Sequence, residues 1–176
     1  MFISLCGFMG CGKSSVGKVL GSLLGCPVAD LDSRIEEKAG KKIAEIFDSG
    51  GEPAFRALEL QALRGILSES DGGTFILSLG GGTLTSEACA GLIRENTFCV
   101  YLRATADTLE ENLRNGTEGR PMLRGKNLRM RIDELMERRA AEYEGCADLT
   151  IDTDGKTDEE IAAEIAGDDR IVGFIT

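Results

Sequence analysis

The sequence predicts an α/β domain of three layers, a parallel sheet held between helices. Two observations carry this reading. Short apolar runs alternate with helical stretches along the chain, which is how strand–helix–strand units build a parallel sheet covered on both faces. The 176 residues, 42% apolar and 28% charged, also suit one globular unit, and no repeat, linker or low-complexity tract divides them.

The elements follow in order. Residues 2–6 form an apolar run stopped by Gly7, a buried strand. Residues 13–24 are helical, with Val16, Val19, Leu20, Leu23 and Leu24 on one stripe; Gly25 closes the helix and Pro27 prevents its continuation. A second strand over 28–31 precedes helical stretches near 32–39, 42–48 and 52–68. After the turn signal Asp71-Gly72-Gly73, a strand over 74–79 runs into Gly80-Gly81-Gly82. A helix near 86–94, a strand over 98–102 and a helix over 105–114 continue the alternation. Three glycines and a proline make 115–127 an exposed, movable loop. A long helix from about 128 to 144, a short strand over 149–151 and a helix over 158–166 complete the pattern. The apolar stretch 171–175 is either a further short strand or a packed end.

A net charge of −10 argues against nucleic acid and anionic membrane surfaces as partners. No apolar run approaches the roughly 20 residues that span a bilayer, and Phe2–Cys6 is too short for a signal peptide. Six cysteines without C-x-x-C spacing, in a chain without histidine, read as free thiols in a reducing compartment rather than as a zinc site. The chain is expected to be soluble and cytoplasmic.

Gly7-Phe8-Met9-Gly10-Cys11-Gly12-Lys13-Ser14 matches the eight-residue phosphate-binding loop, or P-loop. Its glycines let backbone N–H groups turn inward, and the helix that follows points its positive dipole end at the same anion. Lys13 supplies charge to the outer phosphates, and the Ser14 hydroxyl can coordinate magnesium. The loop sits between an apolar strand and an amphipathic helix, the context its mechanism requires. Asp30 and Asp32 close the second strand, where ligands of open parallel sheets gather. On an extended segment the two carboxylates point the same way, one toward magnesium through water and one toward an acceptor hydroxyl. Asp32 can equally be the N-cap of the next helix.

Three consecutive glycines at 80–82 suit a backbone passing close to a ligand, or a flexible loop. Arg56 and Glu59, three apart on a helix, can be a surface ion pair, while Phe47 and Phe55 default to the core. Arg120, on the movable loop, can close over a triphosphate or stay solvated. Of Arg138 and Arg139, at least one is solvated.

Together these pieces resemble the shikimate kinases: GFMGCGKSS at 7–15, DLD at 30–32, FR at 55–56, LGGG at 79–82, RPML at 120–123 and ERRAAEY at 137–143. The resemblance implies a P-loop NTPase fold with a five-stranded parallel sheet, ATP as co-substrate and Mg2+ as cofactor. It implies one domain over 1–176, with a core of 1–31, 70–112 and 128–176, substrate-binding helices in 32–69 and a lid near 113–127. The activity implied is transfer of the ATP γ-phosphoryl group to the 3-hydroxyl of shikimate. On this resemblance Gly10, Cys11, Gly12, Lys13, Ser14 and Ser15 hold the nucleotide, with Arg120 on the lid and Lys156 at the adenine. Ser14 and Asp30 serve the metal. Asp32, Arg56, Gly81 and Arg139 bind shikimate, Phe47 and Phe55 line its apolar side, and Lys13, Asp32 and Arg120 are the catalytic set. Cys11 and Ser15 stand where the family more often has Ala and Thr. The partners expected are ATP and shikimate, with the protein a monomer. The rivals are a kinase of the same fold for another acceptor, such as gluconate or a nucleotide, and a nucleotide-operated switch without an acceptor.

Overall fold

The computed structural model describes residues 1–69, 72–114 and 127–175. In chain order the elements are β1 (Phe2–Cys6), α1 (Lys13–Leu24), β2 (Val28–Asp30), α2 (Leu31–Ala39), α3 (Ile43–Ser68), β3 (Phe75–Ser78), α4 (Glu87–Asn96), β4 (Thr97–Arg103), α5 (Ala106–Leu113), α6 (Leu128–Cys146), β5 (Leu149–Asp152), α7 (Asp158–Ala166) and α8 (Asp169–Ile175). A short 3-10 turn, Thr83–Thr85, lies between β3 and α4. The five strands are all parallel, in the order β2-β3-β1-β4-β5.

β1 is central, so both its faces are covered and every residue of Phe-Ile-Ser-Leu-Cys is buried. β2 is an edge strand, and its Val28 stays partly exposed. Beside β1 the chain's direction of growth reverses: β3 and β2 lie on one side, β4 and β5 on the other. That reversal opens a crevice at the strands' carboxyl ends, where ligands of such sheets sit. No helix among the described residues is long and apolar enough to cross a membrane.

The structure corrects or refines three boundaries. α2 begins at Leu31, so β2 stops at Asp30 and the Asp-Leu-Asp segment is not extended throughout. The two helical stretches expected in the middle of the chain are present as two helices within α3, which meet at a non-helical kink where Gly51 takes φ 70. The C-terminal stretch is helical rather than a strand: Arg170 Nη1 donates to the Asp148 carbonyl at 2.8 Å, and its guanidinium lies 4.9 Å from the Phe98 ring centre. The cysteines are free and, Cys26 apart, buried.

Candidate active site

The first wall of the crevice is a turn between β1 and α1. Cys11 N–H donates to the Phe8 carbonyl at 3.2 Å, closing the loop. Gly12 takes φ 95 as the N-cap of α1, a conformation that a side chain would strain. The amides opening α1 therefore face the loop, an arrangement suited to an anion. Lys13 is only 7% exposed, and its Nζ donates to the carbonyls of Gly7 at 2.8 Å and Phe8 at 3.0 Å. From α5, Asn112 Nδ2 donates to the Gly10 carbonyl at 2.9 Å and braces the loop from its flank.

The loop opens onto a cleft of about 670 Å³, whose lining includes Gly10, Gly12, Lys13, Ser14, Ser15, Asp30, Asp32 and Gly81. Ser14 Oγ donates to Asp30 Oδ2 at 2.5 Å, with Ser78 Oγ at 3.4 Å from the same hydroxyl. Asp30, not Asp32, caps α2: its Oδ1 accepts from Ser33 N at 3.0 Å. Asp32 is left facing the cleft. Burial first, and then the charge of Asp30, push its carboxyl up to about 6, against a partial pull downward from Lys13.

The second wall comes from remote parts of the chain. Beyond β3, Leu79 N–H donates to the Leu5 carbonyl at 3.0 Å and carries Gly80–Gly82 past the phosphate-binding loop. A methyl group on Gly81 would lie 3.0 Å from Met9 N, so the two backbones run close together and a side chain there would crowd Met9. Arg56 and Glu59 are not a surface pair, because Glu59 is fully buried at 0% exposure. Its Oε2 accepts from Arg56 Nη1 at 2.6 Å and its Oε1 from Thr83 Oγ1 at 2.7 Å. Arg56 also meets Glu52 at 3.2 Å. On α6, Arg138 is exposed while Arg139 is 4% exposed, and Arg139 Nη1 donates to the Gly81 carbonyl at 3.3 Å. The Tyr143 hydroxyl donates to the same carbonyl.

Arg56 and Arg139 converge. A methyl group on Gly82 would stand 2.5 Å from Arg56 Nη2 and 3.2 Å from Arg139 Nη2. Two half-buried or buried guanidiniums at one point form a receptor for a carboxylate or phosphate, since such forks bind planar anions with two parallel hydrogen bonds. Beside them the Phe47 and Phe55 rings stack 4.8 Å apart, and Phe55 lies 5.3 Å from the Arg56 guanidinium.

The fold thus brings Gly10, Cys11, Gly12, Lys13, Ser14, Ser15, Asp30, Asp32 and Gly81 around one cleft or its loop. It brings Arg56 and Arg139 together at Gly82, and Phe47 and Phe55 pack on the core side of Arg56, Phe55 itself being buried. Lys156 stands outside this group, on the exposed turn before α7, with Nζ 2.6 Å from Glu164 Oε2. Arg120 lies outside the described residues. Sequence reasoning missed Tyr143, Asn112, Ser78 and Thr83 and misjudged Glu59. Tyr143 carried a signal: it lies four residues after Arg139, on the same helical face.

Comparison with known proteins agrees with this geometry. The shikimate kinase family model matches residues 9–168. A shikimate kinase of Chlorobium limicola is 40% identical over 93% of this chain and 85% of its own. One of Geobacter metallireducens is 42% identical over 94% of this chain and 89% of its own. Among solved structures, a shikimate kinase from Acinetobacter baumannii in complex with shikimate superposes with a TM-score of 0.88 at 30% identity, covering 93% of this chain and 89% of that one. With a family match running from the phosphate-binding loop to the end of α7, the chain belongs to the shikimate kinase family.

Proposed function

We propose that the chain transfers the γ-phosphoryl group of ATP to the 3-hydroxyl of shikimate, giving shikimate 3-phosphate and ADP. One observation carries the reading: the paired guanidiniums of Arg56 and Arg139 meet at Gly82, a short distance along the loop from Asp32 and the anion-holding turn. A Cβ on the neighbouring Gly80 would lie 2.8 Å from Asp32 Oδ1. An acceptor anchored by its carboxylate at the arginines would present ring hydroxyls toward that aspartate, with Phe47 and Phe55 along its apolar edge.

In this reading the backbone of Gly10–Gly12, with Ser14 and Ser15, holds the triphosphate. Lys13 swings from its carbonyl partners to the outer phosphates and offsets negative charge in the transition state. Asp32 accepts the proton of the acceptor hydroxyl, whose oxygen bonds to the γ-phosphorus as the bond to the β–γ bridging oxygen breaks. Magnesium fits the donors present, the Ser14 hydroxyl and the Asp30 carboxylate, which are hard oxygens. When bound it supplies charge neutralisation and orientation of the phosphates. Among the described residues no cluster of three His, Cys, Asp or Glu could hold an ion alone, in keeping with an ion that keeps waters and phosphate oxygens as ligands. Arg120 is proposed as the arginine that covers the nucleotide and Lys156 as a contact at the base. The helices α2 and α3 are the acceptor-binding part, and the protein works as a cytoplasmic monomer.

The test is ADP release measured with ATP and a panel of acceptors. Shikimate should stimulate turnover, while gluconate and nucleoside monophosphates should not. Hydrolysis indifferent to every acceptor would favour a nucleotide-operated switch instead.

A further inference from the structure

The Gly81 carbonyl accepts two hydrogen bonds, both from α6: one from Arg139 Nη1 at 3.3 Å and one from the Tyr143 hydroxyl. Tyr143 is 1% exposed, and its ring packs on Tyr101 with centres 5.2 Å apart. Burial pushes its phenol pKa up, so the hydroxyl keeps its proton and remains a donor at any working pH. A buried hydroxyl needs a partner, and the Gly81 carbonyl accepts its hydrogen bond while the Arg139 guanidinium lies beside it.

Glycine backbone is the most permissive of all, so three in succession have no preferred path of their own. Here the path is fixed by Leu79 N–H on the Leu5 carbonyl at 3.0 Å, Thr83 N–H on the Gly80 carbonyl at 3.2 Å, Thr85 N–H and Oγ1 on the Gly82 carbonyl at 3.1 and 2.7 Å, and the side-chain donors on the Gly81 carbonyl between them. Arg139 has a second demand on it. A guanidinium spent on a backbone carbonyl cannot at the same time present its full fork to a carboxylate.

We propose that Tyr143 is a positioning residue for the acceptor: it holds the Gly81 carbonyl, fixes the middle of the glycine loop and so sets where Arg139, bound to the same carbonyl, meets the acceptor's carboxylate. This rests on the shikimate-phosphorylating activity proposed above. Without the hydroxyl, Arg139 is the one remaining side-chain donor to that carbonyl among the described residues, and the loop and the guanidinium are both held less firmly. Tyr143 itself does not line the cleft around Lys13 and Ser14, so the larger effect is expected on the acceptor side.

The experiment compares steady-state kinetics of the unaltered chain, Tyr143→Phe and Tyr101→Phe, with thermal unfolding recorded for each. Tyr143→Phe keeps the ring and its packing. Its KM for shikimate should rise roughly tenfold, the size of one lost hydrogen bond at a binding site, with the KM for ATP within about twofold of the original. Tyr101 is 2% exposed and its hydroxyl makes no bond to the loop, so Tyr101→Phe should leave both KM values unchanged. An unchanged shikimate KM in Tyr143→Phe, or an equal rise in both variants, would overturn the assignment. Failure of the unaltered chain to phosphorylate shikimate would instead overturn the activity, and the role of Tyr143 with it.

Discussion

In the function proposed, the two walls of the site hold anions by opposite means. At the nucleotide end the wall is a run of consecutive residues, and its work is assigned to backbone amides and one lysine, with Ser14 and Ser15 exposed. At the acceptor end the wall comes from α3, the loop after β3 and α6, and it relies on charged side chains that are mostly buried: Arg56, Glu59 and Arg139. Backbone dipoles need no counter-charge, so the first wall tolerates small changes such as Cys11 or Ser15. Buried guanidiniums need compensation, so the second wall depends on Glu59, Thr83 and Tyr143 behind it.

Three substitutions would break or sharpen that contrast. The largest effect belongs to Lys13→Ala, which should lower kcat by about 10²–10³-fold, the range for losing one charge-stabilising group. The fold should survive, since the loop is closed by its own backbone; single-turnover kinetics and unfolding curves check both halves of this. If the protein instead unfolds, the nucleotide wall depends on its side chain more than the contrast allows.

Next comes Glu59→Gln. It keeps a hydrogen-bond acceptor for Thr83 but leaves Arg56 without its buried counter-charge. A stability loss of about 1–3 kcal/mol is expected, with the KM for shikimate up roughly tenfold and the KM for ATP little changed. Equal damage to both KM values would erase the division between the walls.

The subtlest effect on the contrast is the pH dependence set by Asp32. Its carboxyl titrates at about 6 in the folded chain against 3.8 for the free group, because burial and the Asp30 charge disfavour ionisation. The folded protein binds this proton more tightly than the unfolded one, so stability falls as pH rises from about 4 to about 6. Asp32→Asn removes the buried charge, and should stabilise the nucleotide-free protein by up to about 3 kcal/mol above pH 7. The gain should shrink as pH falls and be absent by about pH 4, below both values. Urea unfolding at several pH values reads this directly. A variant no more stable at high than at low pH would show that Asp32 is better solvated than its surroundings imply. Activity should be lost in the same variant, the mark of a group kept at a cost to stability.

Much of this was legible in the chain itself. The strand–loop–helix unit from Phe2 to Leu24 is contiguous, so pattern and spacing sufficed. Asp30 and Asp32 were found as a pair, but which of them caps α2 was not, because a strand and a helix cap give opposite directions to the same three residues. Glu59 looked like any helical carboxylate; what makes it internal is Thr83, 24 positions away, together with the glycine loop that covers it. The tail was ambiguous because a short apolar stretch carries no period, and Arg170 settles it only through Asp148 and Phe98.

The approach of Gly81 to Met9 has a consequence for how this chain can change. At this approach the two main chains face each other with no side chain on Gly81 to act as a spacer. Lengthening either loop by one residue would shift that contact and, in the function proposed, pull donor phosphorus and acceptor oxygen out of line. The two loops, more than 65 positions apart in the chain, are therefore free to drift in composition but are locked together in length.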